Sequence, residues 1–216
     1  MGIAHQFAGE FEAHLTVRPP ADESQLADWA AAHGLRYARI LLDRGLTSDQ
    51  PMLTFTRSGT VEDMMRVVQT HTHALDSAGF ALVRTKIEAS PYNAQIPQTA
   101  EQVASVPAGC YFEHHIKLLL SGNDDVTRVR VLAQPHAAHV SRNARRSAGN
   151  GCHERFVTQR CRGVALPEAG RQLDSLLKDL DANDFSVIEV EREFVVHDDC
   201  PGLDAGWITE TAAGAP

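Results

Sequence analysis

Two things are missing from this chain of 216 residues: a long apolar run and a surplus of positive charge. No apolar stretch approaches the ~20 residues that a membrane span needs, so no membrane association through a spanning helix is expected. The formal net charge is −8, so long-range attraction to a long nucleic acid or an anionic bilayer does not drive binding. A small anionic substrate is not excluded, because a local basic pocket can form in an acidic protein. Cysteine is sparse. Cys110, Cys152, Cys161 and Cys200 show no C-x-x-C spacing, which gives little support to a thiolate zinc site. The first residues, Met1 to Gln6, carry no basic stretch followed by an apolar run. They read as leaderless, with reduced thiols and a cytoplasmic location expected. No glycine-rich phosphate loop and no G-x-S-x-G elbow is present, so the nucleotide-binding and serine-hydrolase signatures are absent.

What is present is a pattern stated twice. Phe11-Glu12-Ala13-His14-Leu15-Thr16-Val17 returns as Phe112-Glu113-His114-His115-Ile116-Lys117-Leu118, 101 positions later. Thr56-Arg57 resembles Gln159-Arg160, and Gly79-Phe80 with the run to Glu88 resembles Asp184-Phe185 with the run to Glu193. The slowly growing offset is that of a duplicated unit with lengthened loops. Each unit reads as βαββαβ. Strands are expected over Glu12–Val17, Arg36–Asp43, Met52–Arg57 and Ala81–Ala89, where alternation or β-branched runs dominate. Helices are expected after Asp22 and Thr60, each a capping residue with Gln25 or Asp63 three positions on. The second unit repeats this with strands Phe112–Leu120, Ala137–Asn143, Glu154–Cys161 and Ser186–Val196, and with helices over Asp124–Gln134 and from Pro167.

The expected fold is therefore α+β, two ferredoxin-like halves over 1–90 and 110–200. A linker covers 91–109, and a frayed tail from 201, which Trp207 anchors in part, completes the chain. Two antiparallel sheets would flank a polar cleft. Alternation sorts the faces. Phe11, Ala13, Leu15 and Val17 form the helix-facing set, while Glu12, His14 and Thr16 face the other way. Their counterparts on the open face are Glu113, His115 and Lys117. Arg84, Lys86 and Glu88, then Glu189, Glu191 and Glu193, extend that face, with Thr54, Thr56, Thr158 and Arg160 from the third strands. A solvated sheet face would carry the same polarity. Matched histidines are not needed for solubility, and histidine is the side chain suited to proton transfer near neutral pH.

The run His14-Leu15-Thr16-Val17 resembles the His-x-Thr strand motif of the 2H phosphoesterase, or LigT-like, family. That resemblance implies two ferredoxin-like halves with the active site between them. It implies a hydrolase acting on a small cyclic or 2′-linked phosphodiester, with His14 and His115 as general base and acid and no cofactor. Thr16 would bind phosphate oxygens. Lys117 stands where the family has Thr or Ser and would bind phosphate as a point charge. Thr56, Lys86, Thr158 and Arg160 are further candidates for substrate contact.

Carboxylates beside both histidines open a second reading. Glu12/His14 and Glu113/His115 are each Glu-x-His on a strand, so their side chains project together. With Glu88 or Glu193 they form an oxygen and nitrogen donor set for a divalent transition metal. A third reading is a relative that binds a small ligand without turnover. Elsewhere, the basic run Arg142, Arg145 and Arg146 is a candidate cover for the cleft. His71/His73, His136/His139 and His197-Asp198-Asp199-Cys200 are weaker metal candidates.

Overall fold

The computed structural model describes residues 7–19, 22–145 and 152–207. Met1 to Gln6, Arg146 and the chain beyond Trp207 lie outside the described residues. The first half runs β1 (Ala8–Val17), α1 (Glu23–Ala32), β2 (Arg36–Leu42), β3 (Asp49–Thr60), α2 (Val61–Ser77) and β4 (Leu82–Ala89). The second runs β5 (Tyr111–Leu120), α4 (Asn123–Ala133), β6 (Ala138–Asn143), β7 (His153–Arg162), α5 (Leu166–Ala182) and β8 (Ser186–Asp198). Between them, α3 (Ala100–Val103) interrupts the segment expected to be plain linker, capped by Thr99 and Gln102.

The local signals act as their chemistry dictates. Asp22 accepts a hydrogen bond from the Gln25 backbone at the start of α1. Thr60 and Asp63 form the reciprocal box that opens α2. Gly79 and Asp184 both adopt positive φ, +83° and +62°, just past α2 and α5. Glycine adopts that conformation freely, and aspartate is one of the few other residues that visit it.

The two halves do not form two separate sheets. The strand order is β1-β3-β2-β6-β7-β5-β8-β4, closed on itself and antiparallel throughout. β2 pairs with β6 and β4 with β8, so the free edges of each half seal those of the other. Unpaired backbone groups at a sheet edge are a liability that closure removes. The expected cleft between facing sheets is therefore the lumen of one eight-stranded barrel.

The helices lie outside. Phe11, Ala13, Leu15 and Val17 of β1 are at most 3% exposed and pack with Leu26, Met64, Val68 and Leu75 of α1 and α2. Ile116, Leu118 and Leu120 of β5 pack with Leu173, Leu176 and Leu180 of α5. The first core also takes Phe112, Cys161, Ala169 and Phe194 from the second half. With both cores outside, the lumen is left to the polar face. No helix among the described residues is long and apolar enough to cross a membrane.

Candidate functional site

Register places the polar side chains. His14 lies opposite Thr54 on β3 and Lys86 on β4, and Glu12 lies opposite Glu88. In the second half His115 lies opposite Thr158 on β7 and Glu191 on β8, and Glu113 lies opposite Arg160 and Glu193. The β4–β8 seam then brings Glu88 beside Glu193, since Glu88 pairs with Val195.

The result is one connected network. His14 Nε2 is 2.5 Å from Glu88 Oε2, and Lys86 Nζ is 2.5 Å from both Glu88 Oε1 and Glu113 Oε1. Arg160 Nε donates to Glu113 Oε2 at 2.5 Å and its terminal nitrogen to Asp204 Oδ2 at 2.7 Å. Arg84 bridges Asp204 and Asp198, and Gln50 donates to Asp204 at 3.1 Å. His115 Nε2 lies 3.3 Å from Glu113 Oε1 and 3.3 Å from Glu193 Oε2. Its Nδ1 is 3.0 Å from Thr158 Oγ1, which fixes the ring so that Nε2 faces the carboxylates.

Glu88, His115 and Glu193 each bring one donor atom within 4.8 Å of the others. Glu88 is 1% exposed. Neither of its oxygens, nor His14 Nε2, makes a hydrogen bond of ordinary direction. Their short contacts are off-axis ion-pair contacts.

The electrostatics follow from burial opposed by charge. Burial alone would depress His115, but its bonds to Glu113 and Glu193 push it up to about 10. His14 is raised in the same way, burial opposing and Glu88 prevailing. Burial, with the neighbouring Glu88 charge, pushes Glu193 up to about 7. Glu88 and Glu113 resist burial and stay well below the usual carboxylate range, held by His14 and Lys86 and by Lys86 and Arg160 respectively.

Two cavities meet at this cluster. One, about 890 Å³, is lined by Glu10, Glu12, Thr56, Ser58, Glu88 and Tyr92 among others. The second, about 840 Å³, holds His14, Thr16, Lys86, His115, Thr158 and Arg160. Glu12, Glu191 and Glu193 line both.

The structure thus brings His14 and His115 to one lumen, with Thr16 beside them. Several expected contacts stand elsewhere. Lys117 is 3.4 Å from Glu154 and lines neither cavity. Lys86 and Arg160 hold buried carboxylates, and Thr158 holds His115. Thr56 lines the other cavity. Among the metal alternatives, Glu12 pairs with Arg36 at 2.6 Å, and Glu113 is engaged by Lys86 and Arg160. Arg57 is not the counterpart of Arg160: Arg57 pairs with Phe11 on the outer face, and Thr56 holds the matching place.

The tail is not frayed up to Trp207. A 3-10 turn over Pro201–Asp204 puts Asp204 into the barrel at 3% exposure, and the Trp207 indole donates to the Val140 carbonyl. Asp204 was missed because one acid after a turn carries no periodic signal. Arg145 lines the second cavity and stacks on Tyr37, 5.0 Å from the ring centre; both it and Arg142 are exposed. Three of the other candidate histidines have structural partners. His136 contacts Asp179 at 2.7 Å, His71 packs on Phe55, and His139 lies 3.1 Å from Arg44 with its pKa lowered to about 4 by burial.

No family model matches the chain, and no curated protein matches it. Among solved structures it is similar to the acetolactate synthase small subunit from Thermotoga maritima. Identity there is 12% over 88% of this chain and 96% of that one, with a TM-score of 0.32. A mutant chlorite dismutase from Candidatus Nitrospira defluvii gives 10%, 87%, 92% and 0.28. An anthrone oxidase-like protein gives 10%, 91%, 94% and 0.28. Likenesses at these scores carry no argument about activity or ligand.

Proposed function

We propose that the protein is an enzyme dependent on one divalent transition metal, held in the barrel by Glu88, His115 and Glu193, with His14 beside Glu88. The observation that carries this is a charge deficit. Five carboxylates of the connected network (Glu88, Glu113, Glu193, Asp198 and Asp204) face three permanent cations, Lys86, Arg84 and Arg160. With Glu193 ionised, as metal ligation requires, two positive charges are wanting. Two imidazolium protons fill the deficit in the metal-free protein, and one dication replaces both.

Spacing supports the same reading. A charge-assisted N–H···O bond is about 2.7–2.9 Å long, whereas His115 Nε2 stands 3.3 Å from Glu193 Oε2, the one other ligand oxygen at a stated distance from it. Donor atoms each about 2.0–2.1 Å from a tetrahedral ion lie about 3.3 Å from one another. A mixed imidazole and carboxylate set suits Zn, Mn, Fe or Ni. Such an ion supplies Lewis acidity and lowers the pKa of a water, which fits hydrolysis or isomerisation of a small polar substrate. The test is metal content after dialysis against each ion and then against metal-free buffer. One ion per chain is expected in the parent, and at most a tenth of that in His115→Ala and Glu193→Gln. Parent protein that retains none sinks the proposal.

A second reading retains metal-independent cleavage of a phosphodiester, favoured by the single fact that His14 and His115 line the same cavity. It requires turnover of cyclic or 2′-linked phosphodiesters in the presence of chelator, lost in both His14→Ala and His115→Ala.

A further inference from the structure

The second cavity has two unlike walls. One carries the histidines and the acid network. The other is mixed: Ala38, Ile40 and Leu42 from β2, Phe156 from β7 and Trp207 from the chain after β8 supply its apolar part, with Gln50, Ser141 and Asn143 among them, and Met52 from β3 reaches His14, its Sδ 3.2 Å from Nδ1. Alternation along β2 puts its three on the inner face. In a barrel of eight strands, inward side chains either fill the interior or leave room for one small ligand. Here they border about 840 Å³, within the range of small-molecule pockets. Ala38 stands mid-wall, opposite Met52, and leaves space that a larger side chain would occupy.

Apolar side chains kept inside a barrel beside an acid and imidazole cluster call for a ligand with both an apolar and a polar part. We propose that this cavity takes a small organic molecule with a flat apolar body of about one ring, seated against Ala38, Ile40 and Phe156, and an oxygen donor directed at His115 and Glu193. The donor's target rests on the metal reading above; the seat for the ring does not.

The experiment has two arms. On metal-loaded protein, benzohydroxamate and acetohydroxamate present the same chelating group and differ in the ring. The expected result is at least tenfold tighter binding of benzohydroxamate, with Ala38→Trp reducing that preference to within twofold while acetohydroxamate affinity stays within threefold. Equal affinities in the parent, or an undiminished preference in Ala38→Trp, overturn the proposal. The second arm uses phenol on metal-free protein, followed by the Trp207 indole N–H resonance. A saturable shift in the parent that Ala38→Trp lacks supports the ring seat even if no metal is retained. No shift in the parent overturns it, whatever the metal result.

Discussion

His115 is where the chemistry of this chain is most concentrated, and its neighbours can be tested singly. Thr158 is a positioning residue: its hydroxyl meets Nδ1 and leaves Nε2 for the carboxylates. Such outer partners are typically worth 10–100-fold in metal affinity. Thr158→Val is expected to weaken metal binding by that factor with the fold retained, and Thr158→Ser to restore most of it. Unchanged affinity in Thr158→Val contradicts the role. The pH dependence of stability follows from the same side chains. His115 is raised from 6.5 to about 10 and Glu193 from 4.5 to about 7, so above pH 4.5 these two groups hold more protons in the folded metal-free protein than in the unfolded chain. Stability then falls as pH rises, by up to about 1.4 kcal/mol per unit for each proton concerned. At the acid end, Glu88, Glu113 and Asp204 are all lowered, so their contribution is lost as pH falls below the ordinary carboxylate range. Urea unfolding of the metal-free protein should therefore show greatest stability at about pH 4.5 to 5.5, where the lowered carboxylates are ionised and Glu193 still holds its proton. In His115→Ala the decline between pH 7 and 10 should be largely removed. A parent protein most stable near pH 8 contradicts this assignment of charges.

At the scale of elements, the turn after β8 does unexpected work. Asp204 receives Gln50, Arg84 and Arg160 inside the barrel, joining β3, β4 and β7 at one carboxylate. Breaking a buried pair by removing one partner costs about 3–5 kcal/mol, because the other charge is left unpaired. Asp204→Ala is expected to lower stability by that amount in denaturant unfolding, and Asp204→Asn by less. A stability unchanged in Asp204→Ala contradicts the placement. Nothing in the sequence pointed to this residue. The strands were legible because alternation sorts Leu15 from His14 and Ile87 from Glu88 without any partner being known. The Thr99/Gln102 capping box of α3 is equally legible, although it stands in a segment rich in turn residues. Matching Arg57 to Arg160 failed for a different reason. Sequence similarity tolerates a slip of one residue, but a strand does not, since one step moves a side chain to the opposite face.

For the whole molecule, the fold was half readable. The two βαββαβ orders, the helix-covered outer faces and the placing of His14 and His115 on the opposite face of their strands follow from local pattern. Closure does not, because the β2–β6 and β4–β8 seams join strands about 100 residues apart and are set by edges that alternation cannot see. The choice of partners for Lys86 and Arg160 was hidden for the same reason: it depends on Glu113 arriving from the other half. Since the first core borrows Phe112 and Phe194, residues 7–90 alone are expected to lack a cooperative unfolding transition. A cooperative transition in that segment contradicts the shared core. The central claim is that the deficit of positive charge in the lumen is filled by one divalent ion. The most direct measurement is diffraction from crystals grown with Zn or Mn, recorded at the absorption edge of the ion. The account predicts one anomalous peak per chain, bounded by Glu88, His115 and Glu193. A crystal grown with the ion that shows no peak at those side chains contradicts it.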